Sequence, residues 1–247
     1  MPADATETDP VPAEIGAELV ADEVRPGRTI GAHDTAERAA AVLREHVAQG
    51  LLRPGVRLSE ERIGRALGVS RNTLRESFRL LTHERLLIHR LNRGTFVRVL
   101  DVSDIQDIYQ VRRLVECAAL RDLGAGPYQL TDVRAAVTAA ERAAQAHDWQ
   151  RLGTANIHFH QALAGLAASP RGDDMMRGVL AELRLAFHVM DEPRQFHEPY
   201  LPRNQDILRT LEAGAGETAA RLLSDYLDDS RQQLVDAYPK QPAHATP

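Results

Sequence analysis

Along most of the chain, apolar residues return every three or four positions, the period of a helix with one buried face. From Asp34 to Gln49, Ala40, Leu43 and Val47 share a side, Asp34 stands where a cap belongs, Glu37 takes the capping-box position and Gly50 ends the run. Leu51 to Leu58 is a connector whose Pro54-Gly55 marks a turn. Ser59 can cap a short helix with Glu60 and Glu61 in its first turn, where carboxylates suit the positive end of the helix dipole, and Gly68 breaks it. Ser70 caps the next helix, and Leu74, Phe78 and Leu81 at i, i+4, i+7 give it a core-facing stripe. Leu86-Leu87-Ile88 and Thr95-Phe96-Val97-Arg98-Val99 then read as two strands joined by Arg90-Leu91-Asn92-Arg93-Gly94.

Beyond Leu100 the pattern is helical throughout, with helices expected at about 103–123, 131–146, 148–168, 172–190, 199–213 and 216–237. Short breaks separate them, at Gly124-Ala125-Gly126-Pro127, His147-Asp148, Ser169-Pro170-Arg171-Gly172, Glu192-Pro193 and Gly214-Ala215-Gly216. The expected fold is mostly α: a winged helix-turn-helix with a small β hairpin, followed by an all-α antiparallel bundle.

The helix capped by Ser70 carries Arg71, Arg75 and Arg79, with Asn72 beside them, at least a third of a turn from its apolar stripe. Alone, three such arginines fit an ordinary solvated face. The hairpin that follows the two helices changes this, because helix, turn, helix and wing in that order deliver a helix end to the DNA major groove. The charge distribution agrees. The chain's net charge of −5 argues against a nucleic-acid binder, yet residues 33–100 hold 13 basic and 7 acidic side chains, net +6, between segments of −5 and −6. The acidic, proline-containing residues 1–32 are expected to form a disordered tail, 33–100 a DNA-binding domain, 101–238 a helical effector-binding and dimerisation domain, and 239–247 a flexible end. No apolar run approaches the ~18 residues of a membrane span, there is no signal-like start, and the single Cys117 excludes an internal disulfide, so a cytoplasmic protein is expected.

The motifs Gly50-Leu51-Leu52-Arg53-Pro54-Gly55, Leu58-Ser59-Glu60, Leu67-Gly68-Val69-Ser70-Arg71, Leu74-Arg75-Glu76 and Asn92-Arg93-Gly94 resemble the N-terminal domain of the GntR family of bacterial transcription regulators. The resemblance implies a homodimer on a palindromic operator in double-stranded DNA, with the recognition helix in the major groove and the wing in the minor groove. Ser70, Arg71, Asn72, Thr73 and Arg75 would then contact bases and phosphates, and Arg93 and Gly94 would form the wing tip. An arginine such as Arg71 or Arg75 can pair bidentately with guanine, while Ser70 and Thr73 beside free helix amides can hold a phosphate. Asn72-Thr73-Leu74 departs from the Thr-Pro-Val usual in relatives, and Arg85 stands where a glycine commonly closes the recognition helix.

The helical part, through Tyr109-Gln110-Val111-Arg112-Arg113-Leu114-Val115-Glu116, Asn156-Ile157-His158-Phe159-His160 and Ala219-Ala220, resembles the FCD domain of the FadR subfamily. Arg112 falls on the inward side of its helix with Ile105, Ile108, Val115 and Ala119, and needs an anion: either Glu116 one turn on or a bound effector, which would then be anionic. Many FCD domains hold a divalent metal with one Asp and three His, and the matching positions here are Asn156, His160, Asn204 and Tyr226. Only His160 is a usual ligand, so no metal cofactor is expected, and Arg112, Asn156, His160, Asn204 and Tyr226 are the candidate effector-binding residues. His158, His188 and His197 could supply only an adventitious site, and Cys117 reads as a small buried thiol.

The function expected is a ligand-responsive DNA-binding repressor, not an enzyme. Two alternatives stand beside it: a regulator whose helical domain senses a protein partner, and a helical-bundle enzyme using His158 and His160.

Overall fold

A computed structural model describes residues 32–190 and 192–238. The expected tails, 1–32 and 239–247, lie outside the described residues except for Ala32. The chain divides into two compact units, up to Val99 and from Leu100.

The first unit is built from α1 (Ala32–Ala48), β1 (Arg57–Leu58), α2 (Glu60–Leu67), α3 (Arg71–His83), β2 (Leu87–Arg90) and β3 (Gly94–Val97). Helix α1 already includes Ala32, so Asp34 sits in its first turn and is not the cap the sequence suggests. Its Ala36, Ala39, Ala40, Leu43 and Val47 are buried and pack on α3, whose Leu74, Phe78 and Leu81 form the opposing face. Ser77 adds a hydrogen bond from its hydroxyl to the Ala36 carbonyl at 2.8 Å, and Arg44 grips Glu84 through Nε and Nη2 at 2.7 and 2.6 Å. Gly68 ends α2 at φ +65°, a left-handed conformation that a side chain resists, and frees the chain to turn into α3.

The sheet has the order β1-β3-β2 and is antiparallel, with Leu87 opposite Val97 and Arg90 opposite Gly94. Strand β1 pairs Arg57 with Phe96 and Leu58 with Thr95. Two residues are too few to show a period, so from sequence this strand is indistinguishable from the connector over 51–58. Arg85 itself adopts φ +59° after α3, in the place a glycine usually fills.

The second unit contains α4 (Val102–Arg121), α5 (Thr131–Gln145), α6 (Trp149–Gly165), α7 (Pro170–Phe187), α8 (Pro193–His197), a 3-10 turn (Glu198–Tyr200), α9 (Leu201–Glu212) and α10 (Gly216–Ala237). Helix α4 opens with a capping box between Asp101 and Asp104 and packs against α10, α7 and α6. Two boundaries differ from expectation. Helix α7 begins at Pro170, with Ser169 as its cap, because proline at the first helical position loses no bond that the helix would otherwise make. The helix expected over 199–213 is preceded by α8 and the 3-10 turn. Helix α8 reaches α6 closely: a Cβ on Gly153 would lie 2.7 Å from His197 Nε2. No described helix is long and apolar enough to cross a membrane.

Candidate functional site

In the first unit the Ser70 hydroxyl oxygen accepts from the Thr73 backbone N–H at 3.2 Å and lies 2.8 Å from the Thr73 hydroxyl. The cap leaves the opening amides of α3 facing outward, ready to meet an anion. Arg71, Asn72 and Arg75 are exposed on that same first turn and a half, and the side chain of Thr73 is half-buried. Glu60 on α2 accepts from Arg75 Nε at 3.0 Å, a contact the sequence did not reveal. At such exposure the pair contributes little to stability, but it fixes where the guanidinium stands. Arg79, the third arginine of the face, is taken up by Glu76 at 2.9 and 2.6 Å.

The wing is tighter than the loop expected from sequence. Strand β2 runs to Arg90 and β3 starts at Gly94, leaving Leu91-Asn92-Arg93 to turn, with Asn92 at φ +58° and Gly94 at φ +101°. Arg93 and Gly94 thus fall at the tip and its edge. Two further arginines join them: Arg57 on β1, whose Nε would be 3.2 Å from a Cβ on Gly94, and Arg90, whose guanidinium lies 5.2 Å from the Phe96 ring centroid. Arg57 was not legible because its place beside Gly94 depends on the β1–β3 pairing.

In the second unit, four helices bring the remaining candidates into one buried network. Arg112 and Glu116 come from α4, Asn156 and His160 from α6, Asn204 from α9 and Tyr226 from α10, and all are buried. Glu116 accepts from Arg112 Nε at 2.9 Å with one oxygen and faces His160 Nδ1 at 2.6 Å with the other. Asn156 Oδ1 accepts from Asn204 Nδ2 at 2.7 Å and from the Tyr226 hydroxyl at 3.1 Å. The two halves meet where the His160 and Tyr226 rings pack edge to face, 5.0 Å between centroids. Tyr109 lies under the Arg112 guanidinium at 4.8 Å, and the Tyr200 ring packs on Tyr226 at a tilt of 56°, 4.6 Å between centroids.

Of the two anions considered for Arg112, the structure supplies Glu116. Arg112 is therefore balanced without an effector's charge. Glu116's second bond, to a histidine 44 positions away, gave no signal in the sequence.

Burial alone would raise the Glu116 carboxyl, but Arg112 and then His160 more than offset it, leaving it below the ordinary carboxylate range. Burial, seconded by Arg112, holds His160 below the ordinary imidazole value, so the ring is neutral. Burial raises the Tyr226 phenol, and pushes the Cys117 thiol up to about 11. Cys117 is therefore a protonated, buried side chain, in keeping with its reading as a small core residue.

The donors at the four positions matched to the family metal do not fit a divalent ion. His160 Nδ1 is committed to Glu116 and Asn156 Oδ1 to Asn204 and Tyr226, which leaves only His160 Nε2 and Asn204 Oδ1, two neutral lone pairs, with no carboxylate at any of the four positions. Among the described residues no three His, Cys, Asp or Glu side chains converge on a point that could hold a metal. His158 and His160 part company: His158 is exposed and lines an open groove of about 890 Å³ along α5 and α6, whereas His160 is in the core. His197 sits apart from both, between the rings of Phe187 and Phe196, with its pKa driven down to about 4 by burial and then by Arg184 and His188.

Comparison with known proteins matches residues 35–97 to the model for bacterial regulatory proteins of the gntR family, and residues 107–229 to the FCD domain. A transcriptional regulator of the GntR type from Rhodococcus sp. RHA1, solved by crystallography, is 47% identical over 83% of this chain and 99% of its own, with a TM-score of 0.79. The HTH-type transcriptional repressor RspR of Escherichia coli K12 is 24% identical over 198 residues, 78% of this chain and 86% of the relative. The gluconate operon transcriptional repressor of Bacillus subtilis is 35% identical over 96 residues, 38% of this chain and 39% of the relative.

Proposed function

From the premise that the chain belongs to the GntR family of bacterial regulatory proteins and is a transcription regulator carrying an FCD domain, we propose a cytoplasmic homodimer that represses by holding a palindromic operator and lets go when a small molecule enters the core of its helical unit. The observation that carries the reading is the first turn of α3, where Arg71, Asn72 and Arg75 stand exposed beside the Ser70-capped amides. That turn enters the major groove, with Arg71 or Arg75 reading guanine and the amide end taking a phosphate. The wing tip, Arg93 and Gly94 with Arg57 and Arg90 behind it, follows the adjacent minor groove, where closely spaced backbones and arginines are favoured. Repression is the better reading because the named relatives RspR and the gluconate operon regulator are repressors.

Release requires only that the effector bind the operator-competent and operator-free states unequally. Helix α4 starts at Val102, three positions after the DNA-binding unit ends, and carries both Arg112 and Glu116. A change in the network is therefore felt on the helix that follows the DNA-binding unit in the chain. The operator can be selected from a pool of random duplexes. Arg71→Ala and Arg75→Ala each abolish footprints on it, with the dimer peak in size-exclusion chromatography and the melting temperature unchanged. Footprints retained by both variants would overturn the recognition-helix assignment.

A further inference from the structure

Within the buried network of Arg112, Glu116, Asn156, His160, Asn204 and Tyr226, three polar atoms have no hydrogen-bond partner: Arg112 Nη2, His160 Nε2 and Asn204 Oδ1. They belong to side chains no more than 2% exposed, and buried polar groups of this kind are met by something in a working protein. The bonds around them determine what that something must offer.

Glu116, ionised, can only accept, so the 2.6 Å contact places the His160 proton on Nδ1. In the neutral ring Nε2 is then a bare lone pair. Asn156 Oδ1 accepts from Asn204 Nδ2, which orients the Asn204 amide and leaves its Oδ1 as a second unmet acceptor. Arg112 spends Nε on Glu116, and its Nη2 is an unmet donor. The charges cancel: one guanidinium, one carboxylate, one neutral imidazole.

Two acceptors and one donor with no net charge are a poor match to a carboxylate. Its oxygens would face the two acceptors with nothing to donate, and its charge would enter a low-dielectric core whose cation is already matched. A divalent cation would find two neutral donors and a guanidinium beside them. The complementary partner carries two O–H or N–H groups and an oxygen acceptor, without charge. We propose that the helical unit senses an uncharged hydroxylated molecule, a polyol, sugar or hydroxyketone, which donates to His160 Nε2 and Asn204 Oδ1 and accepts from Arg112 Nη2. This rests on the reading of the helical unit as the effector domain and fixes the chemical class of its ligand.

The test uses the full chain with ¹⁵N-labelled histidine. Three uncharged probes, D-xylose, ribitol and dihydroxyacetone, are set against three carboxylates, D-gluconate, glycolate and citrate, and against zinc chloride. Melting temperature, the His160 ring nitrogen signals and operator retention are read for each. At least one uncharged probe is expected to raise the melting temperature by several degrees and shift the Nε2 signal while Nδ1 keeps its proton. The response is lost in Asn204→Leu and kept in Arg177→Ala, which alters only the exposed groove. The wild-type Nε2 shift carries the result even if Asn204→Leu fails to fold. Responses confined to carboxylates or to zinc would overturn the proposed class while leaving an effector-sensing regulator in place. No response from any probe, with His160 Nε2 unmoved, would assign the three atoms to internal water and overturn it as well. Failure of the unliganded protein to bind any operator would instead bring down the regulatory reading.

Discussion

Glu116 is the counter-charge of a fully buried guanidinium and the acceptor for a buried imidazole, so Glu116→Gln removes a charge from the centre of the helical unit with almost no change of shape. Stripping one partner from a buried ion pair costs about 3–5 kcal/mol, because the other charge is left desolvated. Glutamine keeps one acceptor oxygen, which places the expected loss near the lower end, at about 3 kcal/mol. For a chain of this size each kcal/mol moves the melting temperature by about 2–4 °C, so a drop of roughly 6–12 °C is expected at pH 7.5. Replacing both partners with apolar residues, Arg112→Met with Glu116→Leu, leaves no buried charge and recovers most of that loss. Calorimetry on the three proteins decides the matter. If Glu116→Gln melts within about 2 °C of the parent, or if the double variant is as damaged as the single one, the pair is not what the core depends on.

The pH dependence has a definite sign. His197 has its pKa lowered to about 4 from an ordinary 6.5, so its contribution is fully present above pH ~6.5 and is lost as pH falls towards 4. The gap is worth about 3 kcal/mol, and His197→Leu should flatten urea-denaturation stability across that window; an unchanged slope would show that another group titrates there. His160, also lowered, adds to the loss with the same sign. Gly153→Ala forces a Cβ to 2.7 Å from His197 Nε2 and should destabilise by about 1–3 kcal/mol, with relief when combined with His197→Ala; independent, additive losses would refute the contact. Arg93→Ala should weaken operator and random DNA alike and lower the slope of log K against log salt by about 1, whereas a change of sequence preference without a change of slope would move Arg93 from phosphate to base.

The elements with a period were legible and those without one were not. Leu74, Phe78 and Leu81 announced α3, and Ser59, Gly68 and Ser70 marked its surroundings, because capping and left-handed turns are local chemistry. Strand β1 and the short α8 carry too few residues to show a period, and they exist because a partner strand or a neighbouring helix holds them. The candidate network was half legible in the same way. Arg112 and Glu116 at i, i+4 share a helical face and could be paired on paper. That the second Glu116 oxygen belongs to His160, and that Asn204 and Tyr226 both bond to Asn156, are facts of tertiary packing across 44 to 70 positions. Of the two partners that the sequence offers Arg112, Glu116 and a bound anion, only the first is a matter of helical spacing, and it is the one the structure places there.

The internal closure of charge in that core bears on how such a sensor can change over time. Arg112, Glu116 and His160 balance one another without help from a ligand, so the fold is not hostage to the compound it recognises. Asn156, Asn204 and Tyr226 supply only neutral dipoles, and exchanges among amides, hydroxyls and phenols there re-aim hydrogen bonds without stranding an ion. Substitutions among those three side chains therefore change which groups the core can bond to while its charges stay matched and the DNA-binding unit is untouched.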